Sequence, residues 1–245
     1  MALTGALPAL ALMTLVDLAD AKRPEPHWQV RKVALLGAVS VVPVYLLQRL
    51  FASTVAFEPV PQAAFDAFLS AALLEEGAKA FVLWLVVWRH PAFDERLDGI
   101  VYATRAGLGF ALVENVAALW SSPSTLGFLG AYVVRAFFSV PCHAIAAGFM
   151  GDLAARWRFD GKGPGLAGGL LLAVLLHGLY DLGLYLVPLV DWPLQLAAMV
   201  LPVGVVLGGF LVLRARAADA LARDDADHRH PGRRPQHAEA GYVLR

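Results

Sequence analysis

The chain has 245 residues, of which 58% are hydrophobic and only 16% charged, with a mean hydropathy of +0.60. Those values exclude an ordinary soluble domain, and 20 basic against 20 acidic residues leave no electrostatic footprint for a nucleic-acid partner. A single cysteine, Cys142, excludes an internal disulfide framework and falls in an apolar run, where it reads as a small core residue.

Seven apolar stretches follow in order, at about 2–19, 30–51, 63–88, 99–120, 127–152, 165–187 and 193–213. Each is long enough to cross a hydrocarbon core of ~30 Å at ~1.5 Å per residue, which predicts an all-α, polytopic membrane helix bundle of about seven transmembrane helices. Lys and Arg number four after the first stretch, none in 52–64, two in 89–97, none in 121–126, three in 155–163, none in 188–192 and seven in the tail. The positive-inside rule then places the amino terminus outside and the carboxyl terminus in the cytoplasm. Ala19-Asp20-Ala21 has the spacing of a signal-peptide cleavage site, but no basic residue precedes the apolar run, so the first stretch reads as a retained span. Residues 1–213 form the membrane domain, with the core of interest in 63–187. Residues 214–245 mix charges with Pro, Gly and three histidines, a composition that predicts a disordered tail.

Against that hydrocarbon background stands a short polar set: Glu75, Glu76 and Lys79 on the third stretch, Glu114 and Asn115 on the fourth, His143 on the fifth, His177 and Asp181 on the sixth. Each charge at mid-depth costs at least ~2.5 to 3.5 kcal/mol, so such groups need partners, water or a proton, and they mark function by default. Counting from the span ends puts Glu75, Glu114, His143 and His177 within the middle ~10 to 15 Å of the bilayer. Lys79 lies four residues from Glu75 and three from Glu76, and Asp181 four from His177, so each can reach its partner on one helix face. Arg105, about seven residues into the fourth stretch, is expected to meet a carboxylate or face a watery vestibule; Arg49 and Arg135 lie near span ends, where they can snorkel. Pro141 removes a backbone donor two residues before His143 and predicts a kink there.

These residues sit in ordered motifs: Arg23-Pro24-Glu25-Pro26, Glu75-Glu76-Gly77-Ala78-Lys79, Asp98-Gly99-Ile100-Val101-Tyr102-Ala103, Gly107-Leu108-Gly109-Phe110 running to Glu114-Asn115, Pro141-Cys142-His143-Ala144, and His177-Gly178-Leu179-Tyr180-Asp181. On them the chain resembles the PrsW family of intramembrane proteases, within the wider group that includes the CAAX prenyl proteases and bacteriocin-processing membrane proteases. The resemblance implies a multi-pass protein of a bacterial cell membrane that cleaves a membrane-anchored protein, an anti-sigma factor for the family's namesake. It also implies that Glu75, Glu76 and one or both of His143 and His177 are essential. Where the prenyl proteases have a histidine four residues after a phenylalanine, this chain has Glu114 after Phe110, so their residue roles are not carried over.

Peptide hydrolysis needs an activated water and groups that accept the developing oxyanion. Glu75 or Glu76 is the expected base, and spacing alone does not choose between them. His143 and His177 are expected to bind the oxyanion and protonate the leaving amine, with Asp181 fixing a tautomer. In a metal version His143, His177 and Glu114 form a three-ligand zinc set with one open position, although the sequence has no His-Glu-x-x-His helix. Two other readings use the same residues: a proton- or ion-coupled transporter, and a non-catalytic membrane scaffold.

Overall fold

The computed structural model describes residues 2–229, and these contain no β-strand. Helix occupies all seven apolar stretches. A 3-10 turn, Ala2–Ala6, leads into α1 (Leu7–Ala19); α2 (His27–Val39) and α3 (Val41–Thr54) follow. Next, α4 (Pro59–Phe65) passes through a π-helical stretch, Asp66–Leu73, into α5 (Leu74–Val86). After α6 (Arg96–Trp120), α7 (Thr125–Val134) passes through a second π-helical turn, Arg135–Ser139, into α8 (Val140–Asp160). The last two are α9 (Gly165–Leu186) and α10 (Leu194–Arg229).

Five of these helical runs are long and apolar enough to cross a membrane: Ala2–Ala19, His27–Thr54, Thr125–Asp160, Gly165–Leu186 and Leu194–Arg229. The other two, 59–86 and α6, carry the ionisable residues that lower their hydropathy. In the first, Glu75, Glu76 and Lys79 are buried by other helices; α6 is buried almost continuously from Arg96 to Ala111 and packs most extensively against α8 and α2. Small residues make that possible. A Cβ on Gly109 would lie 1.9 Å from the Ala34 carbonyl oxygen of α2, and one on Gly107 would lie 2.8 Å from the carbonyl oxygen of His143 on α8. The expected irregularity at Pro141 takes the form of the π turn just before it, where the missing proline N–H leaves the ladder to widen.

One expectation needs correction. The composition from 214 onward predicts disorder, yet α10 continues as helix to Arg229. Its charges are not solvated randomly: Asp224 meets Arg96 at 2.9 Å, Arg223 meets Asp160 at 2.9 Å, and Asp225 meets Arg23 at 2.8 Å. Composition could not reveal partners that lie on α6, α8 and the loop after α1. Residues 230–245 of that tail lie outside the described residues.

The same end of the bundle holds a second carboxyl group cluster. Asp20 accepts the Glu25 backbone N–H at 3.0 Å, and the Tyr102 hydroxyl donates to the Glu25 carboxylate. Burial pushes both loop carboxyls up to about 6, Asp20 from 3.8 and Glu25 from 4.5. A raised carboxyl pKa means that the folded state binds the proton more tightly. The stabilisation is therefore complete below about pH 4 and is lost as pH rises through about 6.

Two outcomes follow from this packing. Thermal melting in detergent should rise as pH falls from neutrality towards 5, and Asp20→Asn should flatten that dependence. Gly109→Ala should cost about 1–3 kcal/mol, because the obstructing atom is backbone, whereas Gly208→Ala, with nothing within 4 Å, should be neutral or gain up to about 1 kcal/mol; paired melting curves measure both.

Candidate active site

Glu75 and Glu76 begin α5 directly after the π-helical stretch. Consecutive helical residues point about 100° apart, so the two carboxylates serve different neighbours. Glu76, with no exposed surface, turns into the bundle: its Oε1 accepts from Lys79 Nζ at 2.6 Å and from His177 Nδ1 at 2.8 Å. Glu75 turns towards a cavity of about 570 Å³, lined among others by Gln48, Asp66, Ser70, Glu114, Arg135, His143, His177, Tyr180 and Asp181. Both π-helical segments contribute to that wall.

Lys79 is also wholly buried. Its ammonium donates to Glu76 and, at 2.8 Å, to His143 Nδ1, and it lies 4.7 Å from the centre of the Phe110 ring. An ammonium has no lone pair, so His143 Nδ1 must be the acceptor and Nε2 must carry the proton. That Nε2–H donates to Glu114 Oε2 at 2.8 Å. His177 is arranged the other way round: Nδ1 donates to Glu76, and Nε2 lies 3.4 Å from Asp181 Oδ2. The two imidazoles stand edge to face with centroids 4.9 Å apart.

Glu75 Oε2 is 3.9 Å from His143 Nδ1 and 3.9 Å from His177 Nε2 and is buried with no hydrogen-bond donor. Its other oxygen accepts from Gln48 Nε2 of α3 at 3.2 Å. Glu75, His143 and His177 thus offer ligand atoms within 4.8 Å of one another, a set that could hold a metal ion. The carboxylate of that set was expected to be Glu114. The structure gives Glu114 a different place: it grips the far nitrogen of His143 and lies 3.0 Å from Arg135 Nη2. Each histidine of the set therefore has its remaining ring N–H held by a glutamate, His143 by Glu114 and His177 by Glu76, the arrangement that fixes ring orientation in metal sites.

Of the other polar residues singled out from the sequence, Asp181 joins the cavity and Lys79 the charge network, while Asn115 and Arg105 stand apart. Asn115 donates to the Gly5 carbonyl at 2.5 Å and accepts from Arg135 Nε at 2.6 Å, so it braces Arg135. Arg105 pairs with Asp17 of α1 and donates to the Met13 carbonyl at 2.9 Å, tying α1 to α6 away from the cavity. Sequence reasoning missed Gln48, although an amide in an apolar run was a visible signal, and it assigned Arg135 to the headgroups. Tyr180 also enters here: its hydroxyl is buried without a partner, and its ring lines the cavity.

A profile described as PrsW family intramembrane metalloprotease matches residues 25–209. Protease PrsW of Oceanobacillus iheyensis is 37% identical over 179 residues, covering 72% of this chain and 79% of that protein. Protease PrsW of Bacillus subtilis is 35% identical over 181 residues, covering 72% and 79%. Protease PrsW of Halalkalibacterium halodurans is 31% identical over 227 residues, covering 90% and 98%. No solved structure matches the chain. By profile, identity and coverage, this integral membrane protein belongs to the PrsW family of intramembrane metalloproteases.

Proposed function

We propose that this chain is an intramembrane endopeptidase that hydrolyses a peptide bond of a membrane-anchored protein, a regulator of the anti-sigma-factor class, within a bacterial cell membrane. The observation that carries the reading is the meeting of Glu75, His143 and His177 on the wall of one cavity, with both imidazoles held by carboxylates. Glu75 Oε2 is the carboxylate oxygen that faces the attacking water, either as its base or as one of three metal holders. Glu76 supports rather than attacks, since Lys79 and His177 both occupy its Oε1.

The residues fit the family's metal: a buried, unmatched Glu75 oxygen stands between two imidazole nitrogens, and both imidazoles are oriented by carboxylates. A zinc ion held by Glu75, His143 and His177 would supply a water of lowered pKa and a Lewis acid for the scissile carbonyl. The His143 nitrogen available for this accepts from Lys79, so holding an ion requires the ammonium to withdraw onto Glu76. Asp181, 3.4 Å from His177 Nε2 on the cavity wall, is placed to carry a proton from the water to the leaving amine. The Tyr180 hydroxyl is a donor in reserve for the oxyanion.

A proteome comparison tests the hydrolysis. Cells carrying Glu75→Gln should accumulate at least one membrane protein uncleaved, with processing slowed about 10²–10⁴-fold; native-rate processing in a correctly inserted Glu75→Gln protein sinks the reading. Once that substrate is in hand, Tyr180→Phe should lower kcat by about 10²-fold with little change in KM. Zinc titration of purified protein separates the carboxylate roles: Glu75→Gln should abolish stoichiometric binding, and Glu114→Gln should weaken it by about 10–100-fold. Equal losses from both substitutions would return Glu114 to the ligand set.

A further inference from the structure

The first and last helices share neighbours without packing substantially on each other. α1 packs on α6, α10 packs on α9, α8 and α6, and an apolar cleft of about 410 Å³ remains between α1 and α10. Leu15 forms one wall and Phe210 the other, and Ala144 and Ile145 of α8 form part of the floor, immediately after His143. Among the described residues that line it, only Thr104 and Arg214 have polar side chains.

Arg214 stands towards one end of the α10 wall of the cleft, which Ala19 of α1 also lines, and makes no ion pair with any described residue. Its neighbours on α10 are committed elsewhere: Arg216 lies 3.7 Å from Asp152, and Arg223 meets Asp160 at 2.9 Å. Along α10 the cleft runs from Val206 to Ala217, roughly 16 Å at ~1.5 Å per residue, about half of a ~30 Å hydrocarbon core. A crossing helix, from a substrate or a second copy, would need the full depth. One leaflet's acyl chain needs half of it, and its headgroup would arrive at the guanidinium. An unfilled apolar recess facing lipid forfeits dispersion contacts along its whole lining, so hydrocarbon is the favoured filling.

We infer that this cleft binds one anionic phospholipid of the leaflet at the Arg214 end, its acyl chain lying between α1 and α10 and its phosphate on the Arg214 guanidinium. Such a lipid packs against the side of α8 away from the catalytic cavity and stiffens the turn that carries His143.

The test is native mass spectrometry of the full chain released from nanodiscs containing equal phosphatidylglycerol and phosphatidylcholine. The unmodified protein should retain about one phosphatidylglycerol per chain. Arg214→Gln should reduce the retained fraction about tenfold, and Ala19→Phe, an exposed position that narrows the mouth, should do the same through shape alone. Arg89→Gln removes another exposed, unpaired arginine and should leave retention unchanged. Equal retention of the two lipids, undiminished retention in both cleft variants, an equal loss in Arg89→Gln, or a co-retained polypeptide in place of lipid would each overturn the assignment.

Discussion

A lysine ammonium without exposed surface organises the centre of this protein. Lys79 has no access to water; Glu76 and His143 accept from its ammonium and the Phe110 ring lies beside it. Removing one partner of a buried pair typically costs about 3–5 kcal/mol, because the other charge is then stranded. The requirement ties α5 to α8, and through the second contact of Glu76 it ties α5 to α9. Three helices are registered by one cation and the carboxylate beside it.

That register depends on backbones coming close. Gly107 lets α6 approach the carbonyl of His143, and Gly109 lets the next face of the same helix approach α2. Glu114 can then reach across to His143, and Asn115 back to Gly5. The two π-helical segments act on the same site from either side, one setting the direction of Glu75 and Glu76, the other presenting Arg135 to Glu114 and Asn115. The buried Glu and His groups of the cavity therefore sit on elements whose positions are over-determined, while the outer surface of α7, α9 and α10 is left apolar and exposed.

The charged end of the bundle obeys a different logic. There the buried Arg96 pairs with the buried Asp224 and with Asp227 of α10, while Arg23 and Asp225 pair at partly exposed positions, where a single ion pair contributes little. Such pairing extends a membrane helix beyond the bilayer and anchors it on α6 and α8. This is the part of the chain where composition misled, since an alternation of acid and base reads alike whether the charges face water or each other.

The sequence by itself determined that the chain is a helical membrane protein and singled out its intramembrane polar residues, because hydrocarbon tolerates so few ionisable groups that Glu75, Glu76, Lys79, His143 and His177 stand out without any coordinates. Helical spacing also put Lys79 within reach of either glutamate, and the structure pairs it with Glu76. Only the tertiary structure decided which glutamate faces the cavity, because adjacent residues on a helix diverge by about 100° and the choice rests on where α3 and α9 lie. It likewise put Glu75 between the two histidines and Glu114 on the far nitrogen of His143: depth along a span is legible from residue counts, but the azimuth of one helix relative to another is set by glycine contacts and π turns that no spacing rule encodes. Arg105 shows the same limit, since its partner Asp17 lies 88 residues away and only the packing of α1 on α6 brings them together.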